Sequence, residues 1–235
     1  MNEQEQAQRQ FIVNISQRLG RPMPKTPPEH PFRGAPPFWK EHTRAIAADP
    51  ARMIAQFIEC WQQAGGEAKS FPSLDGLRTF IVDTATEMKA RAFIRHRHPL
   101  LDELKLEEEL SESDWTVWDG QRPEEMKNKA NAADIGVIVA DYAVSATGTI
   151  VTMSSADKGR SVSLLPPMLI AIVPASCIRS SLGEVMSQIS AIGMERMPAG
   201  IHFISGPSRS ADIENDLTIG VHGPGIVYAL IFEDR

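Results

Sequence analysis

Asp134-Ile-Gly-Val-Ile-Val-Ala140 is the stretch whose reading decides the fold. After the aspartate every residue is apolar or glycine, and the run is too short for an ordinary helix. Such a segment reads as a strand buried on both faces, the kind found in parallel sheets covered by helices. Working backwards, Thr116–Trp118, Ala92–Arg95 and Glu67–Phe71 read as further short strands. Helical patterns lie between and before them, over Ser73–Met88, Pro50–Gln63 and Trp39–Ala48. Asp49-Pro50 supplies a cap and a proline at the first helical position, Gly65-Gly66 a stop, and Ser73 the next cap. Helices alternating with short buried strands predict an α/β protein with a parallel-rich sheet.

Beyond Asp141 the strands come closer together, at Gly148–Met153, Met168–Val173, Gly200–Ile204, Leu217–Val221 and Ile226–Phe232, with one helix near Ser180–Ile192. Short links such as Gly223-Pro-Gly225 predict antiparallel neighbours, so the sheet is expected to be mixed towards its C-terminal part.

Upstream, Gln4–Leu19 reads as an amphipathic helix with Phe11, Ile12, Ile15 and Leu19 on one face, stopped by Gly20. Arg21–Pro37 holds seven prolines in seventeen residues and reads as an extended linker. The expected organisation is a helical arm with its linker over residues 1–37 and an α/β domain over residues 38–235.

Composition narrows the function. Of 235 residues, 42% are hydrophobic and 23% charged, ordinary values for a globular chain. A net charge of −6 and no basic stripe argue against nucleic acid. No apolar run approaches a bilayer span and the N-terminus lacks the apolar core of a secretory signal, so a cytoplasmic location is expected. Two cysteines, Cys60 and Cys177, cannot by themselves ligate a four-thiolate iron–sulfur cluster.

Two passages carry candidate chemistry. In Ser205-Gly-Pro-Ser-Arg-Ser-Ala-Asp-Ile-Glu214 a strand is expected to run into a loop and then a helical turn from Ala211. A helix N-terminus with Ser205, Gly206, Ser208 and Ser210 around it, and Arg209 beside it, suits phosphate or carboxylate. The plainer alternative is that Ser208 or Ser210 caps the turn. Asp212 and Glu214 are two apart and so do not share a helix face, which makes a paired-carboxylate acid/base device a poor reading.

The second passage joins Thr147-Gly148-Thr149 to Gly159-Arg-Ser-Val-Ser163. Arg160 is the best single candidate for bidentate anion binding, with Ser161 and Ser163 near it; the alternative is a solvated hairpin arginine. His222, in Gly-Val-His-Gly-Pro, offers a general base or a donor, or else holds a turn. Both passages lie at the ends of buried strands, where ligands sit in open α/β sheets. His96-Arg-His98 lacks a third ligand, so no metal site is expected there. Cys177 lies near an expected helix start, where a thiol pKa can be lowered, though buried filler is the better reading.

Taken together, Ala133-Asp-Ile-Gly, Asp141-Tyr-Ala, Thr147-Gly-Thr, Gly159-Arg-Ser-Val-Ser-Leu-Leu-Pro166, Ser205-Gly-Pro-Ser-x-Ser-Ala-Asp-Ile-Glu214 and Gly220-Val-His-Gly-Pro224 resemble the LUD-domain family, most closely its lactate utilization protein C branch. The resemblance implies a fold like that of the sugar-phosphate isomerases and CoA transferases. It implies a part in oxidising L-lactate to pyruvate beside two iron–sulfur partner proteins. This chain would carry no cofactor, and a small carboxylate or phosphate would be its ligand. It assigns no catalytic residue. Many relatives carry an acidic residue where this chain has Ala146, which removes the obvious nucleophile for CoA transfer. A stand-alone enzyme acting on a phosphorylated or CoA-linked molecule is the alternative.

Overall fold

The computed structural model describes residues 3–18, 20, 49–211 and 217–234. The chain divides into two compact units, Met1–Glu41 and His42–Arg235. In the first, helix α1 (Glu3–Arg18) ends where expected, with the Gly20 amide donating to the Gln17 carbonyl at 3.1 Å. The proline-rich segment, the expected boundary after residue 37 and the expected helix Trp39–Ala48 lie outside the described residues.

The second unit opens with α2 (Pro50–Gln63), where Asp49 Oδ1 accepts from the Arg52 amide at 3.2 Å and Pro50 takes the first turn. Strand β1 (Glu67–Phe71) and α3 (Leu74–Glu87) follow, the latter capped by Ser73, whose hydroxyl accepts from the Gly76 amide. Then come β2 (Ala92–Arg95), the short helices α4 (Pro99–Leu104) and α5 (Leu106–Glu109), β3 (Asp114–Val117), α6 (Pro123–Ala132) and β4 (Ile135–Val139). After β4 the chain builds β5 (Tyr142–Val144), β6 (Thr149–Met153), the single turn α7 (Ser161–Leu164) and β7 (Met168–Pro174). It ends with β8 (Ile178–Arg179), α8 (Leu182–Ala191), β9 (Ile201–Ile204), β10 (Arg209–Ala211), β11 (Leu217–Ile219) and β12 (Ile226–Phe232).

Six strands form one sheet in the order β1-β12-β7-β4-β2-β3, and every pairing in it is parallel. A second sheet, β8-β5-β6-β9, is mixed, and β10-β11 is a separate antiparallel pair. The antiparallel character expected of the C-terminal part is thus real but segregated from the main sheet. Gly223-Pro-Gly225 does not link antiparallel neighbours: β11 turns back on β10, whereas the amides of Gly225 and Ile226 donate to the Pro167 carbonyl. That bond starts β12 level with β7 and parallel to it.

The central strands bury both faces, and alternation assigns each residue a side. Val137 and Val139 of β4, Ile170 and Ile172 of β7, and Leu230 of β12 face α3, α4 and α5 through Leu77, Ile81, Leu101, Leu104 and Leu106. Ile138, Leu169, Ala171, Val227 and Ala229 face the opposite way, towards Phe57 and Trp61 of α2, Met126 of α6, and Ile150 and Ile178 of the second sheet. Val185 and Ile189 of α8 pack on Val144 and Val151, on the far side of that second sheet.

Candidate functional site

A cavity of about 260 Å³ opens where β9 ends. Its hydroxyl wall comes from Ser163, Ser205 and Ser208; its apolar wall includes Leu164, Leu169, Phe203 and Val227; and His222 stands beside them. Leu169 and Val227 are the second residues of β7 and β12, so the cavity lies at the amino edge of the parallel sheet. Ligands of open α/β sheets more often sit at the carboxyl edge.

Part of that carboxyl edge is covered here. The turn Ser154–Gly159 lies across the ends of β2 and β3: the Arg97 amide donates to the Asp157 carbonyl at 3.0 Å and the Gly120 amide to the Ala156 carbonyl at 2.9 Å. Lys158 Nζ pairs with Asp141 Oδ1 at 2.6 Å, and Asp141 Oδ2 accepts from the Met153 amide at 2.7 Å. A side chain on Gly159 would strike the Trp118 ring, at 2.1 Å from its nearest atom. His96 is buried under the same turn, with Nε2 3.4 Å from the Gly159 carbonyl. Desolvation, with the Lys158 charge next, lowers its pKa to about 3.

The Thr147–Thr149 turn connects to the cavity through side chains. Thr149, buried, lies 2.7 Å from the Thr147 hydroxyl and 2.8 Å from that of Ser205. The three hydroxyls form a hydrogen-bonded row from exposed Thr147 to the cavity wall. Gly148 makes the turn possible. It has φ +55°, and a Cβ there would sit 2.3 Å from the Trp61 backbone nitrogen. Replacing Thr149 by valine keeps the volume and breaks the row at its middle. We expect a loss of about 1 kcal/mol in chemical denaturation, because each partner hydroxyl can still reach water from its exposed residue; an unchanged midpoint would mean that the row contributes nothing.

Of the residues singled out in the sequence, Ser163, Ser205, Gly206, Ser208 and His222 line the cavity, and Thr147, Gly148 and Thr149 back it. Arg160 and Ser161 do not line it. Arg160 is exposed, and its charge helps lower the His202 pKa, after the larger effect of desolvation. Ser210 belongs to β10 and is absent from the lining. Asp212 and Glu214 lie outside the described residues. Ala211, where a helical turn was expected to start, ends β10, which pairs with β11; the rest of that expected turn lies outside the described residues. Arg209 turns away to hydrogen-bond the Ala64 carbonyl at the end of α2.

The remaining candidates are structural in their placement. His98 accepts the Leu100 amide on Nδ1 at 3.2 Å, capping α4. Cys177 sits in a short turn ahead of β8, not at the start of α8, and burial pushes its thiol up to about 12, the opposite of activation. What sequence reasoning missed is the apolar half of the cavity. Leu164, Phe203 and Val227 are unremarkable as strand and loop residues, and only the meeting of β9 with the starts of β7 and β12 gives them a common purpose.

A six-stranded parallel sheet with a mixed second sheet and a hydroxyl-lined cavity beside it defines an α/β domain. The chain belongs to the LUD domain family, whose sequence profile matches residues 54–232. Among its relatives, Lactate utilization protein C of Halalkalibacterium halodurans is 35% identical over 230 residues, covering 96% of this chain and 97% of that one. The protein of the same name from Shouchella clausii is 30% identical over 229 residues, with the same two coverages of 96% and 97%. A DUF162 family protein of Deinococcus radiodurans has a similar fold, with a TM-score of 0.59 at 20% identity, over 79% of this chain and 99% of the other.

Proposed function

We propose that this chain takes part in lactate utilization, as the cluster-free subunit of an iron–sulfur-dependent complex that oxidises L-lactate to pyruvate, with the 260 Å³ cavity as its ligand site. The observation that carries this reading is similarity over 96% of the chain to a protein named for lactate utilization. The two iron–sulfur partner proteins are those the family resemblance implies; this chain, with two cysteines, falls short of four thiolates. Both thiols here have pKa values raised by burial, which disfavours the thiolate form a metal needs. Among the described residues no helix is long and apolar enough to cross a membrane.

The stand-alone reading finds less support. Among the described residues lining the cavity there is no lysine or arginine to hold a phosphate or a CoA pyrophosphate.

The test is reconstitution. Cells lacking this chain are expected to lose growth on L-lactate and L-lactate oxidation in extracts, and to regain both on its return. The tagged chain is expected to co-purify with iron–sulfur proteins. Unchanged lactate oxidation in its absence would overturn the assignment.

A further inference from the structure

Unmet polar chemistry also lies at the other edge of the parallel sheet. There the Ser154–Gly159 turn covers the carboxyl ends of β2 and β3, the edge at which ligands of open α/β sheets sit. Two side chains beside it are almost wholly buried, His96 at 1% exposure and Trp118 at 7%. Each has a ring nitrogen with no hydrogen-bond partner among the described residues, Nδ1 of His96 and Nε1 of Trp118. Buried polar atoms are nearly always partnered, so two orphans at one turn call for an explanation. They are of opposite kinds. The indole Nε1–H is a donor. His96 Nε2 lies 3.4 Å from the Gly159 carbonyl, which can only accept. The hydrogen of that neutral ring is therefore on Nε2, and Nδ1 is a bare acceptor. Gly159 touches both rings, since the Trp118 indole stands where its side chain would be. Arg160 follows it. Lys158 and Arg97 are paired with Asp141 and Asp157, whereas Arg160 has no carboxylate partner among the described residues. Across the turn, His202 Nε2 is 3.3 Å from the Ser154 hydroxyl, and desolvation, then the Arg160 charge, lowers the His202 pKa. An unpaired cation, neutral imidazoles, one free N–H and one bare nitrogen suit a monoanion that brings an O–H of its own.

We propose that this carboxyl edge holds a second site, for a small hydroxycarboxylate, with the Ser154–Gly159 turn as its flap. Arg160 takes the carboxylate, Trp118 Nε1–H donates to one of its oxygens, and the ligand hydroxyl donates to His96 Nδ1. A plain carboxylate or a 2-oxo acid has no hydrogen to give and leaves that nitrogen bare. Few contacts fasten the flap: the Arg97 and Gly120 amides donate to the Asp157 and Ala156 carbonyls, and the ion pairs are Lys158–Asp141 and the exposed Arg97–Asp157. So few contacts permit local opening without unfolding the sheet. The inference does not depend on the lactate reading, although L-lactate belongs to this ligand class.

The experiment titrates the full chain with L-lactate and glycolate by calorimetry, and with pyruvate, acetate and inorganic phosphate in parallel. Saturable binding of a hydroxycarboxylate is expected, about tenfold tighter than that of pyruvate or acetate, the difference of one hydrogen bond to a buried acceptor. Arg160→Gln is expected to weaken it about tenfold, the loss of a charge-assisted pair. Arg160 is exposed, so this variant is expected to fold, which circular dichroism checks. In protein labelled with nitrogen-15 at tryptophan, the Trp118 indole N–H resonance, assigned by its loss in Trp118→Phe, is expected to move on binding. Hydrogen exchange at the Arg97 and Gly120 amides is expected to slow as the ligand holds the flap down. Absent or non-saturable binding overturns the proposal, as does tighter binding of phosphate or equal binding of acetate and pyruvate. Affinity indifferent to Arg160→Gln places the ligand elsewhere and overturns it too. A Trp118 resonance that stays put means that ordered water satisfies the two rings, and unchanged amide exchange removes the flap. The lactate assignment is judged by loss of the whole chain, so failure here leaves it standing.

Discussion

Replacing Gly136 by alanine is expected to cost about 3 kcal/mol and to lower the melting temperature by roughly 10 °C. Gly136 lies in β4, at the middle of the parallel sheet, and the chain of α7 runs directly over it. A Cβ built there would stand 2.0 Å from the Val162 carbonyl oxygen and 3.1 Å from Pro166. The nearer atom is backbone, so no side chain can swing aside. Either β4 shifts against its neighbours β2 and β7, or α7 lifts off the sheet. The second movement carries Ser163 and Leu164 with it and deforms the cavity. Urea denaturation of the two proteins measures the first effect, and a ligand that binds the cavity reports the second. A midpoint within error of the parent would mean that this strand and this turn are not in contact.

The second large effect is one of pH. His96 has its pKa lowered to about 3 from 6.5, first by desolvation and then by the Lys158 charge. The unfolded chain therefore binds a proton below about pH 6.5 that the folded chain refuses. Folding stability held by the neutral imidazole is complete above that pH and is lost as the pH falls towards 3. With a slope near 1.4 kcal/mol per pH unit, the loss reaches about 2 kcal/mol by roughly pH 5. His98 and Asp141 lie close by and act on the same turn: the first helps lower the His96 pKa and the second pairs with Lys158. His96→Gln keeps a donor for the Gly159 carbonyl and removes the titration. Its stability is expected to fall less steeply than the parent's between pH 6.5 and 4. Parallel profiles for the two proteins would show that another group governs the acid limb.

How far the residues alone led can be judged at particular places. Ile135–Val139, Met168–Val173 and Ile226–Phe232 were legible as strands because each is apolar at every position, which two buried faces demand. The helix caps Asp49 and Ser73 were legible because capping is local chemistry. Pairing was not. Gly223-Pro-Gly225 reads as a hairpin link, but the preceding strand had already found its partner in β10, and a three-residue segment cannot reveal that competition. Arg209–Ala211 follows serines and glycine, which suit a helix start equally well; its strand pairing to Leu217–Ile219 comes from a neighbour rather than from its own residues.

The site divides in the same way. Hydroxyls clustered by type and spacing drew attention to the loops after β9 and before β7, and the structure brings five of the residues singled out to the lining of one cavity. Arg160 does not join them, because its position depends on where the Ser154–Gly159 turn anchors. The anchors are Asp141, Gly120 and Arg97, all remote in sequence. The amino-edge location was equally hidden, since it follows from strand order.

That strand order has a consequence for how the protein comes into being. β12, residues 226–232, is inserted between β1 and β7 rather than added at a margin. A ribosome releasing this chain exposes β1, β4 and β7 long before the strand that joins β1 to the rest exists. Until residue 232 has emerged, the β1 and β7 edges stay open and offer unpaired backbone to other chains. The strand that closes the domain is therefore the last of its described strands to emerge, and the high contact order of that step makes it slow. Nascent chains stalled short of β12 are natural clients for chaperones, a vulnerability set by topology alone.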